Sequence, residues 1–223
     1  MPVISGDTIY ISTWETGGDF ETPPSVDPWN IVEEKYDADK DGRLTPEEIL
    51  PIFKRGFYDY DLNKDGVLDA QEWEAYIRLR AAANSVMAIR PQGKGDLSSQ
   101  VMWRYRKSLP NIPSPLLYGG ALFLVKDGGV VTTLNPKTGE VLKQSRIPGA
   151  IESYWSSPVA ADGKVYMLSQ GCKLSVLAGQ PQWEVLKVND LDDECFATPA
   201  IADQSLYVRT RSWLYCFREK GPK

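Results

Sequence analysis

The chain of 223 residues has a net charge of −5, with 42% hydrophobic and 25% charged residues, which is typical of a globular protein. It contains no histidine, so Ser-His-Asp and Cys-His catalysis and every His-containing zinc site are excluded. No apolar run reaches the roughly 18 residues that a membrane span needs. Residues 1–12 lack the basic start and long apolar stretch of a signal peptide.

Acidic residues are concentrated in one segment. Residues 15–84 contain 17 acidic and 8 basic side chains, a balance of −9, and the rest of the chain carries +4. A nucleic-acid binder typically has a concentrated basic face, and the sequence has none. We therefore expect no nucleic-acid partner and attribute the acidic balance to metal loops within this segment.

Residues 2–13, PVISGDTIYIST, predict two short β-strands joined by a Gly-Asp turn. The same pattern returns at residues 158–169, PVAADGKVYMLS, so that Pro2 corresponds to Pro158. The β pattern then stops at residue 13 and resumes at residue 84. We expect residues 14–83 to form an inserted helical module.

Two segments of this module, DADKDGRLTPEE (37–48) and DLNKDGVLDAQE (61–72), have the spacing of EF-hand loops. Such a loop needs oxygen ligands at positions 1, 3, 5, 7, 9 and 12, and Gly at position 6. Loop 1 offers Asp37, Asp39, Asp41, the Arg43 carbonyl, Thr45 through water, and bidentate Glu48, with Gly42 at position 6. Loop 2 offers Asp61, Asn63, Asp65, the Val67 carbonyl, Asp69 and Glu72, with Gly66 at position 6. The sequence therefore predicts two calcium sites.

The residues that flank the loops predict helices. Asp27 is expected to cap a helix that starts at Pro28. Capping boxes are predicted where Thr45 precedes Glu48 and where Asp69 precedes Glu72.

The two loops begin only 24 residues apart, at Asp37 and Asp61, so we expect them to share one connecting helix over about residues 46–60. This helix would carry the apolar side chains Ile49, Leu50, Ile52, Phe53 and Phe57, and Pro51 would kink or restart it. No methionine lies between residues 2 and 86, which favours structural calcium over a sensor that exposes a Met-rich groove.

Residues 84–109 predict the third and fourth strands of the first β repeat. Three further repeats follow at residues 113–134, 156–177 and 197–217, and their prolines Pro115, Pro158 and Pro199 lie 43 and 41 residues apart. Pro2 lies 113 residues before Pro115, which places an insertion of about 70 residues between the second and third strands of the first repeat. A period of about 42 residues with four strands is typical of a propeller blade. The predicted fold class is mainly β with an α insertion: a partial propeller of about four blades, formed by residues 1–13 and 84–219.

The opening SP-x-x-x-x-G-x-x-Y and the segment LNPKTGEVLKQ (134–144) resemble the pyrroloquinoline-quinone-type (PQQ-like) propeller repeat. Quinoprotein alcohol dehydrogenases and the outer-membrane-assembly lipoprotein of Gram-negative bacteria share this repeat. In that family the segment docks a tryptophan of the neighbouring blade. Thr138 and Gly139 match the family pattern, but Asn135 stands in place of its Asp and Lys143 in place of its Trp. Trp103 fits the tryptophan position of the first blade.

The resemblance also implies a location and a missing part. Propellers of this family have seven or eight blades and lie outside the cytoplasm, as do many bacterial proteins with short-linker EF-hand pairs. We therefore expect a periplasmic, outer-membrane-associated or secreted protein. We also expect the chain to be the C-terminal part of a longer one, whose remaining blades or a protein partner contact its open ends.

Three cysteines are too few for a disulfide framework, although Cys195 could pair with either Cys172 or Cys216. Cys216, within the strand-like WLYCF, is expected to be buried, and Trp155 and Trp213 are expected to pack in blade cores. The acidic stretch NDLDDE (189–194) is expected to be a solvated loop, with a metal site or a catalytic base as the alternative.

Two functions fit these features. The first is a calcium-binding propeller scaffold for protein or ligand interaction, with structural calcium and no catalytic residues. The alternative is a fragment of a PQQ-dependent dehydrogenase. The family resemblance implies that such an enzyme has an adjacent-cysteine pair, which this chain lacks, so PQQ is not expected as a cofactor.

Overall fold

The structure, a computed structural model, describes residues 1–14, 25–49 and 57–218. The chain divides into two compact units. Met1–Trp14 together with Asn84–Lys223 form one, here called the β unit, and Glu15–Ala83 form the other, the helical unit. Among the described residues, no helix is long and apolar enough to cross a membrane.

The β unit contains four consecutive antiparallel sheets, blades 1 to 4, whose strands lie side by side in chain order. Blade 1 consists of β1 (Val3–Ser5), β2 (Thr8–Thr13), β3 (Ser85–Ile89) and β4 (Val101–Tyr105). Blade 2 consists of β5 (Leu116–Tyr118), β6 (Ala121–Lys126), β7 (Val130–Leu134) and β8 (Val141–Arg146). Blade 3 consists of β9 (Val159–Ala161), β10 (Lys164–Leu168), β11 (Lys173–Ala178) and β12 (Val185–Asp190). The described part of blade 4 consists of β13 (Ala200–Ala202), β14 (Ser205–Arg209) and β15 (Leu214–Arg218).

This arrangement is a partial β-propeller, as the repeat spacing predicted. The helical unit interrupts blade 1 between β2 and β3, whose ends pair directly at Thr13 and Ser85. The Thr13 hydroxyl donates a hydrogen bond of 3.2 Å to the Ser85 carbonyl. The chain therefore leaves and re-enters the blade at adjacent points, and the sheet continues across the insertion.

Paired residues of neighbouring strands form rows across each sheet, and successive rows face opposite sides because side chains alternate along a strand. We call a row that faces the following blade the forward row. The row beside it faces the preceding blade and is called the rear row. In blade 2 the forward row is Leu116, Phe123, Thr133 and Lys143. The rear row of blade 2 is Leu117, Leu122, Leu134 and Val141.

Three apolar cores lie between successive blades, and each joins a forward face to a rear face. Tyr10 and Ala88 of blade 1 pack with Leu122 of blade 2. Phe123 of blade 2 packs with Val165 of blade 3. The third core joins blades 3 and 4 and contains Leu168, Leu174 and Val208. Blades 2 and 3 thus pack against a neighbour on both faces, and packing between blades stabilises each sheet.

The predicted tryptophan docking between blades 1 and 2 is present. The Trp103 indole N–H donates to the Pro136 carbonyl at 3.0 Å. Gly139 lies directly beneath the indole, where an added Cβ would come within 2.7 Å of the ring. Its φ of +76° is the left-handed conformation that glycine adopts without strain.

Lys143 occupies the corresponding position in blade 2 and makes an equivalent contact with blade 3. Its ammonium group donates to the Trp183 carbonyl and lies 4.8 Å from the centroid of that indole. A lysine can serve here because its long apolar stem carries a donor to the same place. The substitution for Trp therefore changes the chemistry of the docking contact and keeps its position.

Hydroxyls that precede the blade prolines form a second link between blades. The Ser114 amide donates to the Ser157 hydroxyl at 2.9 Å, and the Ser157 amide donates to the Thr198 hydroxyl at 3.0 Å. The Met1 ammonium donates to the Ser114 hydroxyl at 2.6 Å. In each link the donor belongs to one blade and the accepting hydroxyl belongs to the next. These hydrogen bonds therefore connect the segments before the first strands of all four blades.

A disulfide joins Cys172 to Cys195, whose Cα atoms lie 5.0 Å apart. Both cysteines are fully buried in the core between blades 3 and 4. The disulfide therefore fixes the segment that leads into blade 4. Cys216 is free and exposed, so the prediction that it is buried was wrong. Its strand, β15, has no neighbour on its outer side among the described residues.

The helical unit contains α1 (Trp29–Tyr36), α2 (Pro46–Ile49), α3 (Phe57–Tyr60) and α4 (Ala70–Ala81). They enclose a core of buried apolar side chains, namely Val32, Leu44, Ile49, Phe57, Leu68 and Trp73. The unit thus buries a core of its own.

One predicted helix start was wrong. Pro28, not Asp27, is the N-cap of α1, and no side chain caps this helix. The Asp27 carbonyl instead accepts a hydrogen bond of 2.9 Å from the Trp73 indole. In the predicted connecting helix, residues 50–56, with Leu50, Pro51, Ile52 and Phe53, lie outside the described residues.

We expect the substitution Gly139→Ala to weaken the contact between blades 1 and 2, because its methyl group would overlap the Trp103 ring. Gly120→Ala is the matched control, since Gly120 has a φ of +80° but open space around its Cβ position. Overpacking typically costs about 1–3 kcal/mol, so Gly139→Ala should lose about that much more unfolding free energy than Gly120→Ala. Urea unfolding in saturating calcium measures this difference, and equal losses in the two variants would contradict it.

Candidate metal centre

The two acidic loops of the helical unit are joined by a short antiparallel β-bridge between Leu44 and Leu68. Each leucine amide donates to the carbonyl of the other at 2.9 Å. Both side chains are fully buried in the core of the unit. The bridge therefore connects both loops directly to the core.

In loop 1, the carboxylates of Asp37, Asp39 and Glu48 converge, with one oxygen of each within 4.8 Å of the others. Asp37 is buried, and its oxygens accept hydrogen bonds from the amides of Lys40 at 2.7 Å and Gly42 at 2.9 Å. These bonds wrap the backbone around the Asp37 carboxylate. They leave the other carboxylates of the loop facing the same space.

Asp41 and Thr45 complete the side chains predicted as ligands in loop 1. Asp41 accepts the Arg43 amide at 2.8 Å, which orders the turn that carries the Arg43 carbonyl. Thr45 and Glu48 form the predicted capping box: the Thr45 amide donates to Glu48 at 2.9 Å, and the Glu48 amide donates to the Thr45 hydroxyl at 3.4 Å. Glu48 thus belongs both to the loop and to the start of α2.

Loop 2 repeats these contacts. Buried Asp61 accepts the amides of Asp65 at 3.1 Å and Gly66 at 3.0 Å. Asn63 Oδ1 accepts the Asp65 amide at 2.8 Å, and the Val67 amide donates to Asp65 at 3.1 Å.

The second loop ends in the same way as the first. The Asp69 carboxylate accepts the Glu72 amide at 3.0 Å, and Glu72 accepts the Asp69 amide at 3.2 Å, so the predicted capping box is complete. Asp69 is therefore the N-cap of α4. Like Thr45 at the same loop position, it is suited to hold a metal through water.

The position-6 glycines are required by backbone conformation. Gly42 has a φ of +77° and Gly66 a φ of +86°. An added Cβ at Gly66 would meet nothing within 4 Å, so the constraint is the left-handed turn and not a lack of space.

Sequence reasoning missed the backbone amides that hold the loops closed. The Ala38 amide donates to Glu48 at 2.9 Å, and the Leu62 amide donates to Glu72 at 2.7 Å. Each follows the first ligand of its loop, so the last carboxylate is held against the loop start. In each of these bonds the donor is a backbone amide, which no side-chain pattern could reveal.

Arg43 and Asp65 also form an ion pair of 3.8 Å between the loops.

The electrostatics of loop 1 favour a bound cation. Removal from water and the neighbouring Asp41 carboxylate raise the pKa of Asp39 above its usual value. Hydrogen bonds from the Thr45 and Ala38 amides lower the pKa of Glu48, which stabilises its charged form. Several carboxylates thus face one another without a balancing cation among their described contacts. Oxygen donors of this kind and number suit Ca²⁺.

In the acidic stretch 189–194, Asp190, Asp192 and Glu194 are exposed and Asp193 is half-buried, and three of these carboxylates also contact other residues of the β unit. Asp190 pairs with Lys173, and Glu194 pairs with Arg211 at 2.9 Å. Asp193 accepts hydrogen bonds from the Thr210 hydroxyl at 2.7 Å and the Ser212 amide at 2.9 Å. These bonds and that of the Glu194 amide lower the pKa of Asp193 to about 2. A carboxylate with this pKa is a weak base, and its contacts link the segment before blade 4 to the turn between β14 and β15.

Residues 34–50 and 53–77 match the protein-family model described as EF hand. Both loops lie within the matched segments. The match and the converging carboxylates identify a calcium-binding motif within a propeller-type chain.

Two solved structures resemble parts of the chain. BamB from Moraxella catarrhalis is 17% identical, with a TM-score of 0.47, and the similarity covers 60% of this chain and 39% of that one. A europium-containing methanol dehydrogenase is 15% identical, with a TM-score of 0.35, covering 48% of this chain and 21% of that one. The chain thus spans less than half the length of either protein. A comparison with curated protein sequences finds no match.

We expect Glu48→Gln and Glu72→Gln each to remove one of two calcium-binding events in isothermal titration calorimetry. The amide cannot act as the bidentate, charged ligand that position 12 requires. Glu47→Gln and Glu74→Gln are matched controls, because both side chains are exposed and neither occupies a ligand position. Unchanged binding in both position-12 variants would contradict the ligand assignment.

Proposed function

We propose that the protein is a calcium-binding β-propeller scaffold in which two calcium ions have a structural role. The bridge between Leu44 and Leu68 carries this proposal, because it connects both EF-hand loops to one buried core. A metal ion that orders either loop would therefore also order the core. The proposed ligands are those predicted from the sequence at positions 1, 3, 5, 7 and 12 of each loop.

The closing glutamates support a structural role. Glu48 and Glu72 each join the start of a loop to the first turn of the following helix. Calcium bound at these carboxylates would tie together loop and helix at the same point. Trp73 and Phe57 are already buried in the core of the unit, although Tyr58 and Leu62 are exposed. This arrangement favours a stabilised fold over a groove that opens on calcium binding.

An exposed row of apolar side chains supports an interaction role for the propeller. Ile112, Trp155 and Phe196 each lie three residues before a blade proline, and all three are exposed. The rings of Trp155 and Phe196 contact each other edge to face, with centroids 5.6 Å apart. Trp155 and the exposed Trp213 were expected in blade cores, so those two assignments were wrong. Exposed apolar surface on successive blades suits a protein partner.

We also propose an extracytoplasmic location. The disulfide between Cys172 and Cys195 supports it, because such bonds form and persist in oxidising compartments.

We expect calcium to raise the unfolding free energy of the helical unit without exposing apolar surface. A ligand at 100 times its Kd stabilises a protein by about 2.7 kcal/mol per site. Thermal unfolding followed by circular dichroism, with calcium and with chelator, measures the first effect. Binding of a dye specific for apolar surface measures the second, and it should fall or stay constant when calcium is added.

The double variant Glu48→Gln/Glu72→Gln is the control, and its unfolding should not respond to calcium. A calcium-induced rise in dye binding by the native protein would instead indicate a sensor and would overturn the structural role. If the native protein bound no calcium, the proposal that it is a calcium-binding scaffold would also be overturned.

The alternative, a fragment of a PQQ-dependent dehydrogenase, predicts that the protein binds PQQ and reduces a dye when alcohol is present. For the scaffold we expect no bound chromophore after incubation with PQQ, no quenching of tryptophan fluorescence and no alcohol-dependent dye reduction. The contacts of Asp190, Asp193 and Glu194 support this expectation, since these carboxylates are engaged in bonds within the β unit. Stoichiometric PQQ binding with alcohol-dependent dye reduction would favour the enzyme.

A further inference from the structure

The two loops of the helical unit differ in charge, although their backbones repeat. At positions 1, 3, 5 and 12, loop 1 has a carboxylate in every case, whereas loop 2 has the neutral Asn63 at position 3. Loop 2 has a further carboxylate at position 9, Asp69, but this side chain is the N-cap of α4 and accepts the amides of Gln71 at 2.8 Å and Glu72 at 3.0 Å. Loop 1 therefore offers one more carboxylate at the positions that bind a metal directly.

A carboxylate outside the loops adds to this difference. Glu33, in α1, lies beside loop 1, where a Cβ added at Gly42 would come within 3.7 Å of its Oε1 atom. Phe57 occupies the corresponding position before loop 2, four residues ahead of the first ligand, and belongs to the apolar core. At this position, too, loop 1 has a negative charge that loop 2 lacks.

The carboxylates of loop 1 are also closer together. One oxygen each of Asp37, Asp39 and Glu48 lies within 4.8 Å of the others, and the described carboxylates of loop 2 form no such group. In loop 2, Asn63 instead donates its amide N–H to Asp65 Oδ2 at 3.1 Å. The calcium affinity of an EF hand depends on the charge of its ligands. These differences therefore favour loop 1.

One ion pair joins the loops at a proposed ligand of loop 2. Arg43 Nη1 lies 3.8 Å from Oδ2 of Asp65, which occupies position 5. Arg43 occupies position 7 of loop 1, where the proposed ligand is the backbone carbonyl, so its side chain is available for this contact. Val67, at position 7 of loop 2, carries no charge and cannot form the equivalent pair with Asp41. The contact therefore affects the ligands of one loop only.

An ion pair at this place weakens calcium binding by loop 2 in two ways. The guanidinium compensates part of the charge of Asp65, so a metal ion competes with it for the same carboxylate. It also repels a second cation placed next to that carboxylate. Exposed ion pairs contribute modestly to free energy, and these two side chains are 57% and 40% exposed. The effect of Arg43 is therefore an adjustment of affinity and not a block.

We propose that loop 1 binds calcium before loop 2 and that the Arg43 guanidinium keeps loop 2 the weaker site through its contact with Asp65. This inference rests on the proposed function, since it requires that both loops bind calcium. The bridge between Leu44 and Leu68 connects both loops to one core. Calcium thus orders the helical unit in two steps, and Arg43 sets the concentration at which the second step occurs.

Isothermal titration calorimetry of single-site variants tests the order of binding. Glu72→Gln leaves loop 1 as the calcium-binding loop, and Glu48→Gln leaves loop 2. We expect a Kd that is severalfold lower for Glu72→Gln than for Glu48→Gln. An equal or higher Kd for Glu72→Gln would overturn the proposal.

Arg43→Gln tests the residue, because glutamine keeps the backbone carbonyl and removes the charge. Combined with Glu48→Gln, it should lower the Kd of loop 2 by about twofold to fivefold, the range expected of an exposed ion pair. Combined with Glu72→Gln, it should change the Kd of loop 1 by less. Arg78→Gln is the matched control, since Arg78 forms an exposed ion pair of 4.0 Å with Glu74 in α4, outside both loops. It removes the same charge without contacting a proposed ligand, and it should have a smaller effect on loop 2.

Arg43→Lys separates the charge of the side chain from its shape. Lysine keeps the positive charge, so adding this change to Glu48→Gln should leave the Kd of loop 2 nearly unaltered. The effect of Arg43→Gln should also shrink at high salt, because exposed charges are screened there. A lysine variant that behaves like the glutamine variant, or an effect that persists in full at high salt, would exclude charge as the cause and overturn the proposal.

The same titrations separate this inference from the proposed function. If both single-site variants bind calcium but Arg43→Gln affects loop 2 no more than Arg78→Gln does, the role of Arg43 is overturned and the calcium-binding scaffold is not. If the native protein binds no calcium, both are overturned.

Discussion

The structure of the β unit depends on one constraint: a sheet of four short strands with two apolar faces cannot bury either face by itself. Each blade therefore depends on packing against a neighbour, and burial of side chains such as Phe123 and Val165 supplies most of the favourable free energy. Apolar burial is not directional, whereas the docking of Trp103 and the hydroxyl links between blades are directional hydrogen bonds. They fix which face of a blade meets which face of the next.

The same constraint explains how a helical unit fits inside a blade. Thr13 and Ser85 are paired neighbours in adjacent strands, so the inserted residues replace a turn and leave the sheet ladder intact. The entropic cost of closing a loop grows only slowly with its length. The helical unit also contains its own core around Leu44, Leu68 and Trp73. Blade 1 consequently needs only that the two ends of the insertion stay close together.

Much of the fold could be predicted because repeats leave a period in the sequence. The spacing of Pro115, Pro158 and Pro199 marks the blades, and alternation of apolar residues marks the strands. The EF-hand loops could be predicted because each ligand position demands an oxygen donor and position 6 demands glycine. The assignment of individual ligands and of two occupied sites stays a prediction.

Other features depend on contacts between distant residues, which no local pattern specifies. The pairing of Cys172 with Cys195 requires the path of the segment between blades 3 and 4. The exposure of Trp155 and its contact with Phe196 depend on the paths of the segments that precede two successive blades. Asp193 could not be assigned from its acidic neighbours, because its partners Thr210 and Ser212 lie in the next blade.

The lysine at position 143 has a consequence for how such repeats are recognised. Trp103 and Lys143 have unlike side chains, yet each extends an apolar body and presents an N–H group to a carbonyl of the next blade. In these two blades the position supplies reach and a donor, with an aromatic side chain in one and an aliphatic one in the other. A blade without the tryptophan can therefore keep the same geometry while lacking the residue by which the repeat is usually recognised. Family patterns written around that residue will undercount blades in chains of this kind.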